Sequence, residues 1–108
     1  MAVYMYQGAY TPESWAAQIA DPQNRVRAIG QRVAKSVGGK LIGGWYAFGE
    51  YDIVLIVETP DNVSMAAVGM AVAAGGAMKS AKTTVLMTGE EGVAAMQKAS
   101  SVSYAPKK

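Results

Sequence analysis

The sequence predicts an α+β domain of ferredoxin-like type, with a βαββαβ core followed by an additional C-terminal helix. Three observations predict it. Segments of period two and of period three to four follow one another in that order along the chain. The third strand segment, Asp52-Ile53-Val54-Leu55-Ile56-Val57-Glu58, is apolar on both faces, as a central strand must be. The second carries Gly43 and Gly44, which weaken a strand and mark an edge or a bulge.

The first strand is expected over Val3 to Tyr10, placing Tyr4, Tyr6 and Tyr10 on one face and Val3, Met5 and Ala9 on the other. Thr11-Pro12-Glu13 supplies a cap, a first-turn proline and an acid, and starts a short helix running through Trp15 to Ile19. Asp21-Pro22 repeats that signal, so a separate helix begins there. From Gln23 to Val37 the residues Val26, Ile29, Val33 and Val37 recur at steps of three and four, making an amphipathic helix. Gly38-Gly39 ends it as a left-handed cap. Lys40 to Phe48 alternates as a strand, with Leu41 and Trp45 on one side and Ile42, Tyr46 and Phe48 on the other. After the third strand, Pro60 stops the pairing and Asp61 or Asn62 caps a helix over Val63 to Ala74. That helix is apolar or small throughout and reads as buried. Ser80 to Met87 is the fourth strand, and Gly89-Glu90-Glu91 opens a last helix carrying Val93 and Met96. One domain over residues 1–99 is expected, with an irregular tail over 100–108.

Composition excludes several chemistries. The 108 residues contain neither cysteine nor histidine. Disulfides, thiolate metal sites and cysteine nucleophiles are therefore ruled out, as is the usual acid/base group near neutrality. No cofactor motif and no metal constellation is visible, and Gly38-Gly39-Lys40 lacks the frame of a phosphate loop and follows a helix. A net charge of +2 argues against nucleic acid or an anionic membrane as the main partner. The N-terminus lacks the pattern of a signal peptide, and the uncharged stretch Val63 to Met78, at sixteen residues, is short of the ~20 that span a bilayer. A cytoplasmic location is the expectation.

Self-association follows from the same patterning. With both core helices on one side of the sheet, the other side should be polar if it meets water. In either register the third strand offers that side Ile53, Leu55 and Val57 or Val54 and Ile56, and the first strand offers tyrosines or Val3 and Met5. A sheet-to-sheet homodimer is the expected cover; burial at ~25 cal/mol per Å² makes such a face worth several kcal/mol per subunit before association costs. The alternative is that the last helix and tail fold back over it.

The run Phe48-Gly49-Glu50-Tyr51-Asp52-Ile53-Val54, followed by Val57-Glu58-Thr59-Pro60-Asp61, resembles the GYD-domain family, named for a glycine-tyrosine-aspartate signature at this turn. The resemblance extends to Asp21-Pro22 with Arg25, to Gly38-Gly39-Lys40 and to Thr88-Gly89-Glu90-Glu91, and so covers nearly the whole chain. Here Glu50 stands between the glycine and the tyrosine. The resemblance implies a ferredoxin-like fold of the dimeric α/β-barrel kind and brings no catalytic residue with it.

The candidate ligand-binding residues are Tyr51, Asp52, Tyr4, Tyr6, Trp45 and Tyr46. A carboxylate beside a phenol at the mouth of a central strand can bind or deprotonate a small ligand; equally, Asp52 can cap loose backbone amides while Tyr51 packs. The aromatic residues, with Tyr10 and Phe48, either line a pocket or fill a core or interface. Arg25, Arg32 and Lys35 share a helix surface that reads as solvated. Two functions are expected from this pattern: a homo-oligomeric domain binding a small hydrophobic or aromatic molecule, or a non-catalytic interaction or regulatory module. Whether the chain is an enzyme is not decided by its residues.

Overall fold

The computed structural model describes residues 1–104; the end of the expected tail, residues 105–108, lies outside the described residues. The elements are β1 (Ala2–Tyr10), α1 (Pro12–Ala20), α2 (Arg25–Ser36), β2 (Lys40–Tyr46), β3 (Ile53–Thr59), α3 (Asn62–Ala74), β4 (Met78–Leu86) and α4 (Gly89–Ala99). The strands form one antiparallel sheet in the order β2-β3-β1-β4, which puts β1 and β3 at the centre and is compatible with the ferredoxin-like plan. Residues 100–104 form a turn and irregular backbone.

Each helix starts where the local chemistry allows. Thr11 accepts from the Ser14 N–H with Pro12 opening α1, Asn24 accepts from the Arg27 N–H to open α2, and Thr88 and Glu91 close a reciprocal capping box on α4. At α3 the Asp61 carboxylate accepts from the Ser64 N–H at 2.8 Å, a bond that holds its pKa below the ordinary carboxylate value. Gly38, with φ 74°, ends α2 in the left-handed conformation.

The core lies between the helices and one sheet face. Tyr4, Tyr6 and Tyr10 of β1 are buried with Ile53 and Val57 of β3, against Val26 of α2 and Met65 of α3. Because Tyr4 pairs with Val57 and Tyr6 with Leu55, the intervening Val3, Met5, Val54 and Ile56 point to the opposite, open face. The register for the open face is therefore the one with Val54 and Ile56.

Two expectations are corrected. In β2 the pairing register shifts between Leu41 and Gly43, leaving Ile42 as an extra, bulged residue. Leu41 and Tyr46 consequently share the helix side, while Trp45, opposite Val54, faces the open side, so Leu41 and Trp45 do not share a face. The glycines fit this geometry: a Cβ on Gly43 would meet the Trp45 ring at 2.6 Å, and one on Gly44 would meet Leu55 at 2.8 Å and Val26 at 3.0 Å. The second correction concerns α3, which is not a buried helix. It buries only Met65 and leaves Val63 and Met70 exposed, because the rest of the chain covers one side of a helix that is apolar on nearly all sides.

The last helix does not close over the open face as a core element would: α4 has no buried residue, and Val93 and Met96 are exposed. The radius of gyration is 17.1 Å, against about 13 Å for a compact domain of this length.

Gly39 sets a sharp test of this packing. An added Cβ would lie 2.3 Å from the Glu58 carbonyl oxygen, backbone that cannot turn aside, so Gly39→Ala is expected to lose at least about 2 kcal/mol. Gly69→Ala, inside α3 with nothing within 4 Å of its added Cβ, is expected to gain about 0.5–1 kcal/mol. Urea unfolding followed by circular dichroism measures both.

Candidate functional site

A larger and a smaller concavity lie on the helix side of the sheet. The larger is a cleft of about 700 Å³ between α2 and α3, floored by the sheet. Ile29 and Val33 of α2, Val68 and Ala71 of α3, and Tyr6 and Leu55 of the sheet line it, so its wall is almost wholly apolar. Arg25 and Arg32 of α2 also border it. The cleft exists because α2 is drawn onto β2 and β3 while α3 stands off. On the α2 side, Gly30 sits against Leu41 with room for little more than hydrogen, and Gly44 admits Val26. On the α3 side Met65, Val68 and Val72 reach the core, while the neighbouring cleft-lining positions Ala67 and Ala71 are short and exposed.

The smaller concavity is a groove of about 550 Å³ where α1 crosses the ends of β2 and β3. Trp15, Gln18 and Ile19 of α1 form one wall, Tyr46 and Phe48 the other, and Asp52 lies between them. Asp52 is held tightly. Its Oδ2 accepts from the Tyr10 backbone N–H at 2.8 Å and from the Trp15 indole N–H at 3.2 Å. Its own N–H donates to the Gly8 carbonyl at 2.8 Å, and its carbonyl accepts from the Ala47 N–H at 2.7 Å. The rings around it are ordered in turn: Tyr10 meets Trp15 edge-on at 5.2 Å, and Trp15 lies 6.4 Å from Tyr46 at an angle of 32°. The Tyr46 hydroxyl donates to Gln18 Oε1 at 3.2 Å, with the Gln23 carbonyl at 3.5 Å.

The structure brings together only some of the residues singled out from the sequence. Tyr46 and Asp52 share the groove, while Tyr6 belongs to the cleft. Tyr4 is fully buried, its hydroxyl donating to the Asn62 side chain, and lines neither concavity. Trp45 faces the open side, and Tyr51 is half-buried beside the groove without lining it. Sequence reasoning missed Trp15 and Gln18 as site residues. Their spacing of three on a helix that begins immediately after the tyrosine strand is the signal that points at them.

Burial pushes the Tyr10 phenol up to about 12, with the neighbouring Tyr46 and Asp52 adding to the shift. An unfolded tyrosine ionises near 10. Below that pH both states keep the proton, so Tyr10 leaves stability unchanged; above it the unfolded chain releases its proton first, and stability falls up to the folded value. Stability of the native chain should therefore decline between about pH 10 and 12 more steeply than that of Tyr10→Phe, as read from urea midpoints across that range.

A family model described as GYD domain matches residues 4–96. No curated protein matches the chain. Among solved structures, one described as the crystal structure of FFRP-DM1 superposes with a TM-score of 0.56 at 11% identity, over 81% of this chain and 100% of that one. At that identity the likeness speaks for the fold alone. The family match spans the tyrosine strand, the Asp52 turn and the capped start of α4, and by it the chain belongs to the GYD-domain family.

Proposed function

We propose that this chain is a homo-oligomeric binding domain for a small hydrophobic or aromatic molecule, which occupies the cleft between α2 and α3. The single observation that carries the reading is the cleft itself: about 700 Å³ lined by aliphatic and aromatic side chains. That volume lies within the range of drug-sized ligand sites. Open to solvent, an apolar cleft of this size leaves its lining side chains without the packing contacts that an apolar partner provides. A ligand restores those contacts and stabilises the folded state by mass action. Catalysis is not part of the proposal, because among the described residues the cleft is lined by no nucleophile paired with a base.

Self-association is proposed through the open sheet face. It offers Val3, Met5, Trp45, Val54, Ile56 and Leu86 in adjacent strands, with Lys40, Glu58 and Lys82 further out. An apolar centre with a charged rim is the anatomy of a protein interface. Supporting this reading, α4 buries nothing within its own subunit, so it leaves that face uncovered. The edge strand β4 bears Lys79 and Lys82, which discourage pairing through the sheet edge and favour face-to-face assembly.

Fluorescence of the neutral probe N-phenyl-1-naphthylamine tests the cleft. Native protein should bind it saturably, and Ala71→Trp, which fills the cleft from α3, should weaken binding at least tenfold with an unchanged melting temperature. No enhancement with native protein, or equal affinity in the variant, overturns the proposal. Sedimentation velocity at micromolar concentration tests the assembly: native protein should sediment as a dimer or larger, and Ile56→Glu, at the centre of the open face, as a monomer. A native monomer would sink it.

A further inference from the structure

We propose that the groove around Asp52 is a second binding site, separate from the cleft, for a small organic cation: an ammonium carrying an aromatic or apolar substituent. Four observations converge on that chemistry.

The first is a half-used carboxylate. Oδ2 of Asp52 is occupied by the Tyr10 and Trp15 N–H donors, whereas Oδ1 has no hydrogen-bond partner among the described residues. Nor is Oδ1 an orphan sealed from solvent; the buried side-chain atom without a partner among the described residues is Arg25 Nε. Asp52 therefore presents a free carboxylate oxygen from a side chain that its other bonds fix in place. A ligand meeting it has no ordering cost to impose on the protein.

The second is the ring set. Trp15, Tyr46 and Phe48 border the same space, and Trp15 is anchored by its own bond to Asp52. Aromatic rings beside a carboxylate attract an ammonium group doubly, through the ring quadrupole and the full charge. Phe48 is fully exposed, on a turn that Gly49 makes with φ 113°, so its ring packs on nothing in the free chain. The apolar substituent of the ligand supplies what it lacks.

The third is the sign of the groove. Among the described residues no lysine or arginine lines it, and its remaining polar groups are the amides of Gln18 and Gln23 with the Tyr46 hydroxyl. The nearest cationic side chain in the sequence, Arg25, is turned to Asp21, its guanidinium 3.5 Å from that carboxylate. No charge in the groove favours an anion, and Asp52 would repel one. The fourth is scale: about 550 Å³ accommodates a ring bearing a short amine.

Titration of ¹⁵N-labelled protein with benzylammonium, benzyl alcohol and benzoate tests this. Benzylammonium should shift the Trp15 indole N–H resonance saturably and bind at least tenfold more tightly than benzyl alcohol, and benzoate should produce no shift. Asp52→Asn keeps an acceptor oxygen for Tyr10 and Trp15 but loses the charge; it should weaken benzylammonium at least tenfold and leave benzyl alcohol unchanged. Phe48→Ala, at a side chain that carries no folding role, should weaken benzylammonium at least threefold and serves if Asp52→Asn impairs folding. Ala71→Trp, in the cleft, should leave benzylammonium binding unaltered. The proposal is overturned if benzyl alcohol binds as tightly as the cation, if Trp15 does not respond, if neither groove variant weakens binding, or if Ala71→Trp abolishes it.

Discussion

Asp52 is the tie on which this end of the molecule depends. One residue bonds to β1 through Gly8 and Tyr10, to the end of β2 through Ala47, and to α1 through Trp15. Hydrogen bonds to a carboxylate contribute about 1.5–3 kcal/mol each where water is partly excluded. Two such bonds from one oxygen fix the angle at which α1 leaves β1. The family signature then has a physical reading: Gly49 turns the chain at φ 113°, Tyr51 half-packs beside the turn, and Asp52 receives the Tyr10 backbone amide, which lies beyond the last β1–β3 pair, Gly8 and Ile53. Glu50, between the glycine and the tyrosine, is exposed in the turn and takes no part in this bonding.

What was legible in the sequence is what local chemistry decides. The break at Asp21-Pro22 separates α1 from α2, although α2 opens not there but at Arg25 behind the Asn24 cap; the left-handed Gly38 closes α2, and the apolar run Ile53 to Val57 lies at the sheet centre. Each of these is set by a few adjacent residues. The face of Trp45 was not legible, because a single bulged residue, Ile42, inverts every side chain beyond it, and nothing in Lys40-Leu41-Ile42-Gly43-Gly44 fixes where the bulge falls. The pairing of Trp15 with Asp52 was equally hidden. It joins positions 37 apart whose meeting depends on the angle between α1 and the β2–β3 turn. Of the candidate site residues, Tyr46 and Asp52 came together because both sit at the same end of neighbouring strands; Tyr4 shares their face but lies further along, opposite Val57, and Trp45 is turned to the open side by the bulge at Ile42.

The exposure of α3 and the depth of the cleft have one cause. A helix made of Ala, Val, Gly and Met has few side chains long enough to reach a sheet, so close approach is its only means of filling the space beneath it. On the β1 side that space is already taken by the tyrosine row: Tyr4, Tyr6 and Tyr10 are buried on the helix side of the sheet, Tyr10 against Trp15 of α1. The result is a helix that touches the core through Met65, Val68 and Val72 and leaves an apolar gap beside α2. Filling it from within would need larger residues on α3, and positions such as Ala67 and Ala71 hold small ones.

The two concavities divide the tyrosine strand between them. Tyr6 and Tyr10 border the cleft, and Tyr10 also supports Trp15, whose indole binds Asp52 in the groove. A ligand that moved Tyr10 from the cleft side would press on the edge-on contact with Trp15, 5.2 Å away, and so on the carboxylate that Trp15 holds. Coupling between sites requires a shared element with two arrangements, and close packing makes side-chain shifts stepwise and not graded. The Tyr10 side chain lines the cleft and packs on Trp15 of the groove while its own backbone amide is bonded to Asp52, so any displacement of its ring must occur about a fixed backbone. The Tyr10 ring is thus one physical link between cleft and groove, beside the backbone link from Ile53, which lines the cleft, to Asp52.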